Sequence, residues 1–116
     1  MQDSERISIE LSEDGVAQVR FNRPDKLNAL DHAMFESIIA AGRKLHNMKG
    51  LRVVVLAGEG RAFCAGLDLS NFARTPAPDE PPLTERTYGN ANRPQQAALL
   101  WRKLPVPVIA AVHGVC

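Results

Sequence analysis

The chain has 116 residues, 45% of them hydrophobic, and its 14 Lys and Arg against 13 Asp and Glu leave a formal net charge of +1. That length suffices for one small domain with a real core, while a charge so near zero offers no footprint for nucleic acid or an anionic membrane surface. No apolar run is long enough to span a bilayer.

The first residues, Met1-Gln2-Asp3-Ser4-Glu5, are polar and partly acidic. They are expected to carry neither a secretory signal nor a transit peptide. Ile7, Ile9 and Leu11 then alternate with Arg6, Ser8, Glu10 and Ser12, the period of two of a half-buried strand. Asp14-Gly15 is a turn signal, and Ala17, Val19 and Phe21 alternate with Gln18 and Arg20 on the return, so the pair predicts a hairpin with no chemistry of its own. Pro24 ends the second strand and Asn22 to Leu30 reads as a loop.

Asp31 is placed to cap a helix whose stripe runs Met34, Ile38, Ala41, Leu45 and Met48, widened by Phe35 and Ile39, with Gly50 as its terminator. His32 and His46 read as solvated helix-surface residues, not as ligands or bases. Leu51 to Ala57 contains Val53-Val54-Val55-Leu56, a run expected to form a strand buried on both faces.

The stretch that organises the chain follows: Gly58 to Leu69, G-E-G-R-A-F-C-A-G-L-D-L. Gly58 and Gly60 break the strand, and Ala65-Gly66 lets the backbone pass close to another group. A dinucleotide fingerprint would need glycine where Phe63 stands, and the Gly-Lys-Ser/Thr of a P-loop is absent. Asp68 or Ser70 can cap a short helix after Leu69. Cys64 has no base near it in sequence and reads as a packed thiol. Cys64 and Cys116 are not spaced as metal ligands, so no metal site is expected, and with nothing pointing to export they read as reduced cytoplasmic thiols.

Arg74 to Pro94, with Thr75-Pro76-Ala77-Pro78-Asp79-Glu80-Pro81-Pro82 at its start, can sustain neither a helix nor a central strand; it reads as a lid or a plain surface loop. Pro94 opens a helix over Gln95 to Lys103 with Ala97, Leu100, Trp101 and Leu104 apolar. Trp101 reads as core, with the wall of a pocket as its alternative. Pro105-x-Pro107 breaks that helix, and Val108 to Val112 predicts a second buried parallel strand before His113-Gly114 turns the chain. His113 is expected to satisfy backbone groups at that turn.

Three segments in this order resemble the crotonase (enoyl-CoA hydratase/isomerase) superfamily: Asn22-Arg23-Pro24-Asp25-Lys26-Leu27-Asn28-Ala29-Leu30, then Ala62 to Leu69, then Lys103 to Gly114. The resemblance covers nearly the whole chain. It implies an α/β fold, the crotonase-type ββα spiral, of which residues 1–116 are the N-terminal part. The glycine run of a second oxyanion loop, the acid/base carboxylates and the C-terminal trimerisation helices would lie beyond Cys116. It further implies that the Leu67 backbone N–H is an oxyanion-hole donor for a thioester carbonyl. Lys26, Leu27, Ala29, Ala65, Gly66, Leu67, Asp68 and Leu69 would lie along the CoA ester, with the Ala65 carbonyl bonded to adenine. For Lys26 a phosphate contact and a solvated loop lysine both stay open, Asn28 satisfies local backbone, and Asp68 is a cap, not a catalytic acid.

The partner implied is an acyl-CoA thioester, with CoA as part of the substrate and no separate cofactor. A homotrimer or dimer of trimers, without nucleic acid or membrane, completes the expectation. The leading function is enoyl-CoA hydratase, adding water to a trans-2-enoyl thioester. Enoyl- or dienoyl-CoA isomerase is the runner-up, and a non-catalytic crotonase-fold binding protein is the alternative from another class.

Overall fold

The computed structural model describes residues 5–116; the N-terminal residues read as carrying no targeting signal, Met1 to Ser4, lie outside the described residues. The expected hairpin forms as β1 (Ile7–Leu11) and β2 (Val16–Phe21), antiparallel with Ile9 opposite Val19. Its turn closes through hydrogen bonds between Ser12 and both Gly15 and Val16. The chain then crosses through α1 (His32–His46) to β3 (Val53–Gly58), and through α2 (Arg93–Lys103) to β4 (Val108–Ala110). Both crossovers deliver parallel pairs, and the sheet order is β1-β2-β3-β4.

Periodicity explains the helix positions. Met34, Ile38, Ala41 and Leu45 are buried at spacings of three and four, with Phe35 and Ile39 beside them, so one face of α1 seals against the sheet. Ala17, Val19, Phe21, Val54 and Leu56 meet it from the strands, and Ala97, Leu100 and Leu104 from α2 and its end. Gly42 lets the helices approach closely, because a Cβ there would stand 2.7 Å from a Leu100 methyl.

Three expectations about extent and burial are corrected. The helix ends at His46 with Asn47 as C-cap, ahead of Gly50. The strand β3 is buried through Val54 and Leu56 only, whereas Val53, Val55 and Ala57 are half-buried, since the helices cover one face of the sheet. The last strand stops at Ala110 and Ile109 is 57% exposed: β4 is the sheet edge among the described residues. Beyond it the chain leaves the sheet and pairs with the Ala62–Cys64 loop, where Phe63 N–H donates to the His113 and Val115 carbonyls. The helix start after Leu69 is a single 3-10 turn, Leu69–Phe72, capped by Asp68.

Candidate active site: two loops locked side by side

The loop after β2 begins with a 3-10 turn, Pro24–Lys26, and then takes Leu27 and Asn28 into left-handed backbone at φ 53° and 58°. Non-glycine residues enter that region at a cost, least of all asparagine. The cost is offset by Asn28 itself, which is fully buried. Its Oδ1 accepts from Arg23 N–H at 2.8 Å, and its Nδ2 donates to the carbonyls of Glu59 and Ala62 at 3.0 and 2.9 Å. The expectation that Asn28 satisfies backbone holds, but the backbone is distant in sequence: the side chain rivets this loop to the one after β3.

From there the loops run together as a short parallel pairing. Ala65 N–H donates to the Leu27 carbonyl at 2.9 Å, Leu30 N–H to that of Gly66 at 2.8 Å, and Asp68 N–H to that of Leu30 at 3.0 Å. In a parallel bridge only one partner spends both of its backbone groups on the other strand. Here that partner is Leu30, so the N–H and C=O of Leu67, opposite it, point the other way. Among the described residues the Leu67 N–H finds no acceptor and the Ala65 carbonyl no donor. Gly66 holds φ +102° with open space where a Cβ would stand; the conformation requires glycine there, not crowding by the protein.

Charge secures the same junction. Arg23 Nη1 donates to the Ala29 carbonyl at 3.0 Å and to Asp68 Oδ2 at 2.7 Å, and its other amino group lies 3.4 Å from Asp31. Asp31 also pairs with Arg6 at 2.7 Å and caps α1 through Met34 N–H. Hydrogen bonds from Ser70, then from Arg23, hold the Asp68 carboxyl well below the usual carboxylate range. At Asp31 burial pushes the carboxyl up but is outweighed by the Arg6 and Met34 hydrogen bonds and the Arg23 charge, leaving it lowered. Asp68 is therefore ionised and committed to structure, as a cap should be.

The other side chains are placed as follows. Lys26 is exposed on the 3-10 turn, Leu27 is half-buried, Ala29 is buried, and Ala65, Leu67 and Leu69 are exposed. Phe63 packs edge-on to Phe21, ring centroids 5.5 Å apart, and fixes the glycine loop to the sheet. Burial pushes the Cys64 thiol up despite a hydrogen bond from Gly66 N–H, the opposite of nucleophile activation. His113 Nε2 lies 2.8 Å from the Gly60 carbonyl, the backbone role expected of it. Trp101 lines a separate apolar cavity of about 690 Å³ with Phe21, Phe63 and Val108.

Leu67 opens onto a cavity of about 490 Å³ walled by Phe35, Phe72, Leu83 and Tyr88 and roofed by the proline-rich stretch. The two readings of Arg74 to Pro94 thus resolve to a strap over this cavity. His32 belongs to its wall and lies 3.0 Å from Arg74 through Nδ1 and 3.4 Å from Glu36 through Nε2. The solvated-surface reading of His32 is therefore corrected, while His46 is exposed as expected. Sequence reasoning also passed over Arg23, although it lies inside one of the three motif segments; only folding brings it to Asp68.

The enoyl-CoA hydratase/isomerase family profile matches residues 12–116. This chain belongs to that family. Among curated relatives it is 31% identical to a Delta(3,5)-Delta(2,4)-dienoyl-CoA isomerase of Rattus norvegicus, over 97% of this chain and 36% of the relative. It is 39% identical to a probable enoyl-CoA hydratase of Rhodobacter capsulatus, over 93% of this chain and 38% of the relative. The crystal structure of an enoyl-CoA hydratase from Mycobacterium smegmatis superposes with a TM-score of 0.74 at 34% identity, covering 92% of this chain and 39% of that one. The fold is the crotonase ββα type, and the chain spans well under half the length of these relatives. Among the described residues no helix is long and apolar enough to cross a membrane.

Proposed function

We propose that the protein processes acyl-CoA thioesters, and that the Leu67 backbone N–H stabilises the oxyanion formed at the thioester carbonyl. The observation that carries this is the Leu67 N–H, turned away from its bridge partner Leu30 and without an acceptor among the described residues, on a residue that lines a cavity of acyl size. Deprotonation at the α-carbon, or attack of water at the β-carbon, moves negative charge onto that oxygen. A donor already held in place stabilises the charged state more than the ground state. In this reading Ala65, Gly66, Leu67, Asp68 and Leu69 form the track of the CoA ester, with the Ala65 carbonyl accepting from adenine. Leu27 and Ala29 back it from the neighbouring loop, and Lys26 offers its charge to a phosphate.

Hydration of a trans-2-enoyl thioester is the leading reaction, supported by the hydratase relatives. Isomerisation of a dienoyl thioester is the second reading, favoured by the isomerase relative aligned over almost the whole chain. Neither needs a cofactor beyond the CoA of the substrate. A homotrimer or dimer of trimers in the cytoplasm belongs to the same proposal, and sedimentation of the full-length protein tests the assembly.

Replacing the Leu67 amide by an ester through semisynthesis of the full-length protein removes the N–H alone. Turnover is expected to fall about a hundredfold or more, with a smaller change in ground-state binding, whereas Leu67→Ala stays within roughly tenfold. An ester variant that folds and keeps normal turnover overturns the assignment. Assaying crotonyl-CoA hydration beside 3,5-dienoyl-CoA isomerisation separates the two reactions.

A further inference from the structure

The start of the strap is tied to the body of the protein through Arg74. Arg74 binds Glu80 with both amino groups, closing the Thr75–Asp79 stretch into a loop, and one of those groups also meets His32 Nδ1 at 3.0 Å. A guanidinium has only donors. The Nδ1 it meets must therefore present a lone pair, which places the imidazole proton on Nε2, facing Glu36 Oε2 at 3.4 Å. This geometry is that of a neutral imidazole with its proton on Nε2.

We propose that His32 is a positioning residue: neutral, with its proton on Nε2, it accepts a hydrogen bond from Arg74 and holds the proline-rich strap closed over the cavity beside Leu67. The proposal rests on reading that cavity as the acyl pocket, and adds to it a histidine-gated roof. Protonation of Nδ1 would set a donor against the Arg74 donors and a cation against a cation, and the contact would be lost.

The other charges around the imidazole do not restore it. Glu36, on the same helix, lies 3.4 Å from Nε2, and it is shared with Arg93 from the first turn of α2 at 3.7 Å. Glu80 is already held by Arg74 and by the Ala77 N–H. Asp31, the preceding residue, is engaged by Arg6 and Arg23, and Glu85 and Tyr88 line the same cavity. Only Arg74 changes from partner to opponent when His32 gains a proton, so a doubly protonated imidazole releases the strap.

The test is amide hydrogen exchange across residues 74–92 in the full-length protein without substrate, under mildly basic and mildly acidic conditions, about pH 8 and about pH 5.5. Each variant is compared with wild type at the same pH. An asparagine at position 32 offers an oxygen near the place of Nδ1 that does not titrate. His32→Asn should keep the strap protected at both values, while His32→Ala should raise its exchange roughly tenfold at both. Wild type should follow the asparagine variant at the higher pH and the alanine variant at the lower. Nitrogen chemical shifts of the imidazole should report the Nε2–H tautomer. A strap indifferent to His32→Ala, or a proton on Nδ1 at the higher pH, overturns the latch whatever the enzyme does. A strap that opens as described while the KM for acyl-CoA esters of increasing chain length does not move overturns the acyl-pocket reading instead.

Discussion

Asn28 shows how much a single buried amide can organise. Its three hydrogen bonds reach Arg23, Glu59 and Ala62, and it carries positive φ that most residues resist. Asn28→Ala would leave a buried N–H and two carbonyls without their partners and keep the backbone strain. Unmade buried hydrogen bonds cost about 1–3 kcal/mol each before relaxation, so a loss of about 3 kcal/mol in denaturant unfolding is expected. Asn28→Gly removes the same bonds but relieves the left-handed backbone, and should therefore lose less than Asn28→Ala by about 1 kcal/mol. Equal losses would mean that the backbone there is not strained. Gly58 belongs to the same junction, because a Cβ on it would stand 2.8 Å from the Asn28 amide nitrogen.

At the scale of elements, the site is a joint between the β2–α1 and β3–α2 connections, and Arg23 is its bolt. One guanidinium joins the Ala29 carbonyl, the cap of the 3-10 turn after Leu67 and the cap of α1. With only 15% of its side chain exposed, it is screened less than a surface ion pair. Arg23→Leu is expected to destabilise the fold by about 2 kcal/mol or more, since it strands partly buried carboxylates. It should also raise the Asp68 carboxyl toward the ordinary range, a change read by carbon NMR of the carboxyl as pH is lowered. Arg23→Lys should not rescue either property in full, because a point charge cannot serve three acceptors in a plane. A lysine variant as stable as wild type would refute the fork geometry.

For the molecule as a whole, the lowered carboxyls of Asp31 and Asp68 link stability to pH. Each releases its proton more readily in the folded protein than in the unfolded chain. Their contribution is thus complete above the unfolded carboxylate value of about 3.9 and is lost as pH falls through the folded values. Thermal midpoints should hold through neutral pH and decline below about pH 4. Asp68→Asn should lower the midpoint at neutral pH and flatten the acid decline, because it removes one of the linked protons. A variant with an unchanged acid slope would show that Asp68 takes no part in the linkage.

Patterns that repeat locally were readable without the fold. The alternation in β1 and β2, the Asp14-Gly15 turn, the three-and-four spacing on α1 and the Asp31 cap depend on neighbours within a few residues, and each appears where periodicity puts it. The motif segments gave the family, and with it the loop on which the candidate site stands. Ends and partners were a different matter. Where α1 stops and how far β4 runs were decided by packing and by what lies alongside, since a carbonyl at Leu56 or a loop at Ala62 competes for the same backbone groups. The same holds for side chains whose partners lie far away in sequence. Arg23 meets Asp68 across 45 residues and His32 meets Arg74 across 42, and no local pattern relates them. Hydrogen-bonding groups choose partners by distance in space, and that distance is set only when the two connections are folded against each other.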